Sequence, residues 1–157
     1  MSDLAKMMAR HARDGRLDWI GLRPARRVEP VAAHDASIGP DGIEGDHGRA
    51  GKRAVTLLQA EHLPVIAMLL GRAADAVTAG DLRRNLVVSG LNLAALRKRA
   101  VRIGDALLHV EGPCPPCSRM EERLGHGGYS AVRGHGGYYA SVIAPGRVWL
   151  GAAVSPG

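Results

Sequence analysis

The chain contains no phenylalanine, and two tryptophans and three tyrosines are its only tryptophan- or phenol-type rings. Valine, leucine, isoleucine and alanine must therefore fill the core. The scarcity also removes the aromatic platforms on which single-strand nucleic-acid binders stack bases. Cations alternate with carboxylates and form no long block, so general nucleic-acid binding is disfavoured. Cysteine is scarce too: Cys114 and Cys117 alone cannot build a secreted disulfide framework. No apolar run approaches the roughly 18 residues that span a bilayer. The N-terminal "MSDLAKMMARHARDG" lacks the apolar stretch of a secretory signal. The expectation is a soluble cytoplasmic protein, not associated with a membrane, whose thiols are reduced.

What is present fits one domain. A chain of 157 residues with 46% apolar side chains is long enough to bury a core without staples. Twenty-one glycines and nine prolines imply many turns, more than a helix bundle needs. The net charge is +6, and since Lys6, Lys52 and Lys98 are the only lysines, 18 of the 21 cations are arginine. That excess suits an anionic partner such as a phosphate group; a general arginine bias in composition is the alternative.

Along the chain, residues 2–14 read as a short helix with Leu4, Met7, Met8 and His11 at helical spacing, ended by Gly15. "LDWIGLRPARRVEPVAAHDASIG" reads as two or three short strands, and "AVTLLQ" as a buried one. "AEHLPVIAMLLGRAADAV" reads as helix, with Leu63, Ile66, Ala67 and Leu70 on one face. A strand is expected over Leu86–Ser89, a helical turn in "LNLAALRKR", and paired strands in "AVRIGDALLHVEG". "CSRMEERLG" reads as a short helix, and "YYASVIAPGRVWLGAAV" as a hairpin turning at Pro145–Gly146. There is no internal repeat. Many short strands with few helices predict a mostly β (α+β) fold, a small β-barrel carrying short peripheral helices.

Four loops could carry chemistry. "EGPCPPCSRMEERLG" holds both thiols, stiffened by Pro113, Pro115 and Pro116. Cys117 stands at the start of the predicted helix, near Arg119 and Arg123. A redox disulfide, half of a zinc site, one working thiol and two inert core thiols all remain open on spacing alone. "GIEGDHGRAGKR" offers Asp46 and His47 as an acid/base pair and Arg49, Lys52 and Arg53 as phosphate contacts. "RRNLVVSG" places Arg83, Arg84 and Asn85 at a strand entrance, and "AVRGHGG" places Arg133 and His135 in a glycine-rich turn. In a closed sheet, loops at one rim converge. Each loop read alone is equally compatible with a solvated surface.

Taken in order, "GIEGDHGR", "KRAVTLLQAEHL", "DLRRNLVVSGLNLAAL", "VRIGDALLHVEGPCPPCSRMEERLG" and "GHGGYYASVIAPGRVWLG" resemble the MOSC domain family, named for the C-terminal domain of molybdenum cofactor sulfurase. The resemblance covers roughly residues 20–152 and is to short stand-alone bacterial members. It implies an N-terminal helical extension over 1–15 and a single MOSC domain over 16–157. It implies a β-barrel binding the molybdenum cofactor, a molybdopterin with a phosphate tail. In members that reduce N-hydroxylated compounds one cysteine ligates molybdenum, and Cys117 occupies that position. The family's R-x-N pattern falls on Arg83 and Asn85, and its glycine-rich loop on Gly45, Asp46, His47 and Arg49. Arg53, Arg84 and Arg133 complete the expected cofactor contacts. The alternative the family offers is a carrier that passes sulfur or cofactor to a partner enzyme. A reductase needs a separate electron donor, because no flavin, iron–sulfur or pyridoxal phosphate module is evident. The expected partners are that donor, or a cofactor-biosynthesis or acceptor protein, and a small-molecule substrate; homodimerisation is left open. The family's usual Gly-Asp at the last strand is Gly151–Ala152 here, and Cys114 is not a constant feature of the short members.

Overall fold

The computed structural model describes residues 1–157. Eleven strands form: β1 (Gly15–Leu22), β2 (Val31–Ala33), β3 (Asp35–Gly39), β4 (Gly42–Ile43), β5 (Val55–Gln59), β6 (Leu86–Ser89), β7 (Ala100–Ile103), β8 (Ala106–Pro113), β9 (Tyr138–Ala144), β10 (Gly146–Trp149) and β11 (Ala153–Pro156). The helices are short: α1 (Asp3–Met8), α2 (His62–Leu69), α3 (Ala79–Leu82), α4 (Ser118–Leu124) and α5 (Gly128–Val132), with a 3₁₀ turn at Leu93–Leu96.

Seven strands close into a barrel in the order β11-β7-β8-β9-β5-β6-β1, and the ring shuts where β1 pairs with β11. β2 extends β1 beyond the ring, and a second sheet, β10-β3-β4, packs beside it. Alternation along each strand fills the barrel: Leu17, Leu57, Leu86, Val88, Leu108, Val110 and Val154 belong to one buried cluster. The opposite faces of β5 and β6, through Leu58 and Val87, are buried under Ile66, Leu82, Met120, Leu124 and Val132 from the helices. That is why β5 is buried at every position, its polar Thr56 and Gln59 included. β5 and β6 form the parallel pair of the sheet, and such pairs are covered on both faces. The helices thus sit on one flank of the barrel, and α3 and α4 bring their ends to one rim.

Three local expectations need correction. The N-terminal helix spans Asp3–Met8 rather than 2–14, and Leu4, Met7 and Met8 lie exposed on it. Gly15 does not end that helix; it opens β1, where a Cβ would stand 2.6 Å from the Ser89 carbonyl oxygen. The helix expected over 60–77 spans His62–Leu69. The Pro145–Gly146 turn joins no hairpin: β9 pairs with β8 and β5, while β10 crosses to β3. At Pro145 the chain leaves the barrel for the second sheet, a change of partner that strand periodicity cannot reveal. No helix is long and apolar enough to cross a membrane.

Candidate functional site

The site grows from a polar knot at the barrel rim. Asp46, in the loop after β4, has a side chain only 1% exposed. Its Oδ1 accepts the Arg23 backbone N–H at 2.7 Å and Arg23 Nε at 3.0 Å, and its Oδ2 accepts Arg23 Nη2 at 2.8 Å. The Gly48 N–H adds 2.9 Å to Oδ2. A Cβ on Gly48 would lie 2.7 Å from that same oxygen, so the loop's second glycine is required by close approach. Burial alone would raise the Asp46 pKa, but the Arg23 and Gly48 contacts outweigh it and hold the carboxyl below its ordinary value.

Asn85, fully buried at the start of β6, is tied into the same knot. Its Nδ2 donates to the Gly21 carbonyl at 3.0 Å and to Asp46 Oδ1 at 3.1 Å. Its Oδ1 accepts the Thr56 N–H at 3.0 Å and Thr56 Oγ1–H at 3.2 Å. Both amide hydrogens are consumed, so Asn85 holds β1, β5 and the 46–48 loop together and has no donor left for a ligand. Asp46 is committed to Arg23 in the same way and is no free acid or base.

Around the knot the arginines divide. A cleft of 560 Å³ is lined by Arg23, Arg26, Arg27, His47, Gly48, Arg49, Arg53, Thr56, Cys117, Ser118, Arg119 and Tyr139. Six of these are arginines and none is a carboxylate. Arg53 lies over the Tyr139 ring, 4.5 Å from its centroid, which fixes the guanidinium against the wall. A second cleft, of 420 Å³, shares Arg23, Arg27, Cys117 and Arg119 and continues along Arg83, Arg84, Leu82 and Met120. Its lining includes the carboxylates Glu29, Asp81 and Glu122. Cys117 therefore stands where the two clefts meet.

The thiols are not equivalent. Cys117 is exposed and caps α4 from an extended conformation, φ −132° and ψ 171°. Cys114 is buried, its N–H bonded to the Gly137 carbonyl at 2.8 Å. Burial pushes the Cys114 thiol up, against the opposing pull of Arg84, Arg23 and Arg53. A thiol kept protonated behind the arginines is a wall group; the exposed one is free to bind. His126 and His135 do not join them as a cluster: no three His, Cys, Asp or Glu side chains are arranged to hold a metal by themselves.

The structure brings together most of the residues expected from sequence. His47, Arg49, Arg53 and Cys117 line the carboxylate-free cleft, and Arg83 and Arg84 line the second. Arg84 is held in its wall by bonds from Nε to the Gly136 carbonyl at 2.6 Å and from Nη1 to the Leu82 carbonyl at 3.0 Å. Arg83 donates to the Val28 and Ala25 carbonyls. Its pKa is lowered by burial and by the Arg119 and Arg23 charges. Arg133 is exposed and lines neither cleft. His135 instead meets His62 edge-on, ring centroids 5.1 Å apart. Sequence reading missed Arg23, Arg26, Arg27 and Tyr139. The only signal was the arginine density of "RPARR" after β1, which nothing local tied to the Asp46 loop.

A search against protein-family models matches the MOSC domain over residues 36–155. The chain belongs to the MOSC domain family, which is generally associated with molybdenum cofactor binding. Among solved structures it is similar to the YuaD protein of Bacillus subtilis: 18% identity, TM-score 0.78, covering 90% of this chain and 94% of that one. It is also similar to YiiM of Geobacillus stearothermophilus, at 20% identity and TM-score 0.74 over 91% of this chain and 75% of that one. YiiM of Escherichia coli gives 24% identity and TM-score 0.68 over 90% of this chain and 69% of that one. These likenesses establish the fold. No curated protein sequence matches the chain.

The residues present fit the family's cofactor. A phosphate-bearing pterin needs fixed cations without competing carboxylates, and the 560 Å³ cleft supplies them. A thiolate ligand must come from a thiol that a bound group can reach, and the exposed Cys117 is the one thiol that lines both clefts.

Proposed function

We propose that the protein binds the molybdenum cofactor with Cys117 as the metal ligand and reduces small N-hydroxylated compounds. One observation carries this reading: the single exposed thiol lies at the junction of a carboxylate-free arginine cleft and a second cleft of mixed charge. Arg49, Arg53, Arg26 and Arg119 hold the anionic tail. Arg23 is the rigid floor, fixed by Asp46 and through it by Asn85. His47, at the cleft wall, donates a hydrogen bond to the tail or the pterin in this reading, which its place in the lining supports. Cys117 is presented by the proline-stiffened loop at the head of α4. The cofactor, when bound, supplies the two-electron chemistry, with electrons delivered by a separate donor protein. The second cleft, lined by Leu82 and Met120 as well as charged groups, admits the small-molecule substrate to the same thiol.

The test is turnover of an N-hydroxylated substrate with a chemical reductant, using protein made in cells that synthesise the cofactor. Wild type is expected to turn over and Cys117→Ser to fall to background. The exposure of Cys117 also suits a sulfur carrier. An added sulfur on Cys117 by intact mass, together with no turnover, decides for the carrier.

A further inference from the structure

Between β1 and β2 the chain runs as an irregular strap, "RPARRVEP", residues 23–30. Its arginines line the clefts, and Arg27 lines both. Arg27 has φ 65°, a left-handed conformation uncommon for a residue with a Cβ. The strap buries little of itself: Pro24, Ala25, Arg26, Arg27, Val28 and Glu29 are all exposed. Core packing therefore does not hold Arg27 in that conformation.

Two arginines from the flanking helices do. Arg83, itself left-handed at φ 56° where it caps α3, sends its guanidinium to the Val28 and Ala25 carbonyls, which bracket Arg26 and Arg27. Arg123, on the helix that Cys117 caps, reaches Glu29 Oε1 through Nη1 at 2.6 Å. Its Nε also donates to Asp81 Oδ1 at 2.9 Å. Asp81 is anchored in turn, because its Oδ2 accepts the Thr78 N–H and hydroxyl in the capping box of α3. One guanidinium thus clasps the strap to both helices of the cleft wall.

We propose that Arg123 and Arg83 are positioning residues, which clasp the 23–30 strap to α3 and α4 and so hold Arg27 over the junction of the two clefts beside Cys117. The inference rests on the anion-binding reading of the site and adds how one of its cations is kept in place. The Arg123–Glu29 pair is exposed, so it is weak by nature, and its role is geometric rather than a contribution to fold stability. The clasp acts through the strap's exposed cleft arginines, Arg26 and Arg27, and does nothing for the anion once both are gone.

The experiment is a double-mutant cycle on the full chain, with pyrophosphate as the anion and affinity read by calorimetry at fixed low salt. Glu29→Gln is expected to weaken binding about three- to fivefold. Replacing Arg26 and Arg27 together by Ala is expected to weaken it about thirtyfold. In the Arg26→Ala/Arg27→Ala background, Glu29→Gln should add no further loss. Equal losses from Glu29→Gln in the two backgrounds would show that the ion pair acts independently of Arg26 and Arg27 and overturn the inference. So would no effect of Glu29→Gln in wild type. If wild type binds no pyrophosphate, the anion-site reading fails and takes the clasp with it. If it binds and the cycle is additive, only the clasp fails.

Discussion

Arg23 and Asp46 form a forked ion pair, Nε to Oδ1 at 3.0 Å and Nη2 to Oδ2 at 2.8 Å, reinforced by the Arg23 N–H on Oδ1. With the carboxylate 1% exposed and the guanidinium side chain 14% exposed, the pair is buried on one side and opens to the cleft on the other. It makes Arg23 a fixed cation. It also makes the loop carrying His47 and Arg49 part of the barrel rim.

Breaking that pair has a defined cost. Asp46→Asn leaves the Arg23 charge half-buried without its partner and is expected to destabilise the fold by about 3 kcal/mol at pH 7. The native Asp46 pKa lies below its ordinary value, so the unfolded chain binds the proton more readily. The stabilisation is therefore complete above about pH 5 and is lost as pH falls through the native value. Urea unfolding at pH 7 and pH 3 should show the gap between wild type and variant shrinking in acid.

Asn85→Asp makes a complementary prediction. It sets a second carboxylate 3.1 Å from Asp46 and removes the donor to the Gly21 carbonyl. Like charges raise one of the two pKa values, so this variant loses stability as pH rises. Its melting temperature should be higher at pH 5 than at pH 7, and a variant equally stable at both would contradict the assigned geometry.

The clefts predict a division among the arginines. Arg49→Ala and Arg53→Ala should each weaken pyrophosphate binding about tenfold and flatten its salt dependence. Arg133→Ala, outside both clefts, should change neither. Comparable losses from all three would mean that overall charge, not the cleft, attracts the anion.

Much of the fold was readable in the chain, and the reasons are local. "VTLLQ" reads as a buried strand because Val55 and Leu57 meet the barrel interior while Leu58, on the other face, lies under the helices. "SRMEERLG" shows its helix by spacing and its end by Gly125, which has φ 88°. The site was readable only where a residue type carries chemistry by itself, as Cys117, Arg49 and Arg53 do. Arg23 was not, because its partners Asp46 and Asn85 lie 23 and 62 residues away and meet it only after the barrel closes. Asn85 was visible as a polar residue at a strand entrance. That it is an internal brace depends on Thr56 and Gly21, which no spacing rule links to it. Arg133 lies in a glycine-rich basic loop like the others, yet the fold leaves it exposed outside both clefts, which its local sequence does not show.

The central claim is that Cys117, and not Cys114, is the molybdenum ligand. It is tested most directly by elemental analysis for molybdenum, beside pterin content, on protein purified from cells that make the cofactor. Wild type and Cys114→Ala are expected to retain molybdenum, and Cys117→Ala is expected to lose it while keeping its fold by circular dichroism. Molybdenum absent from wild type, or retained undiminished in Cys117→Ala, would contradict the account.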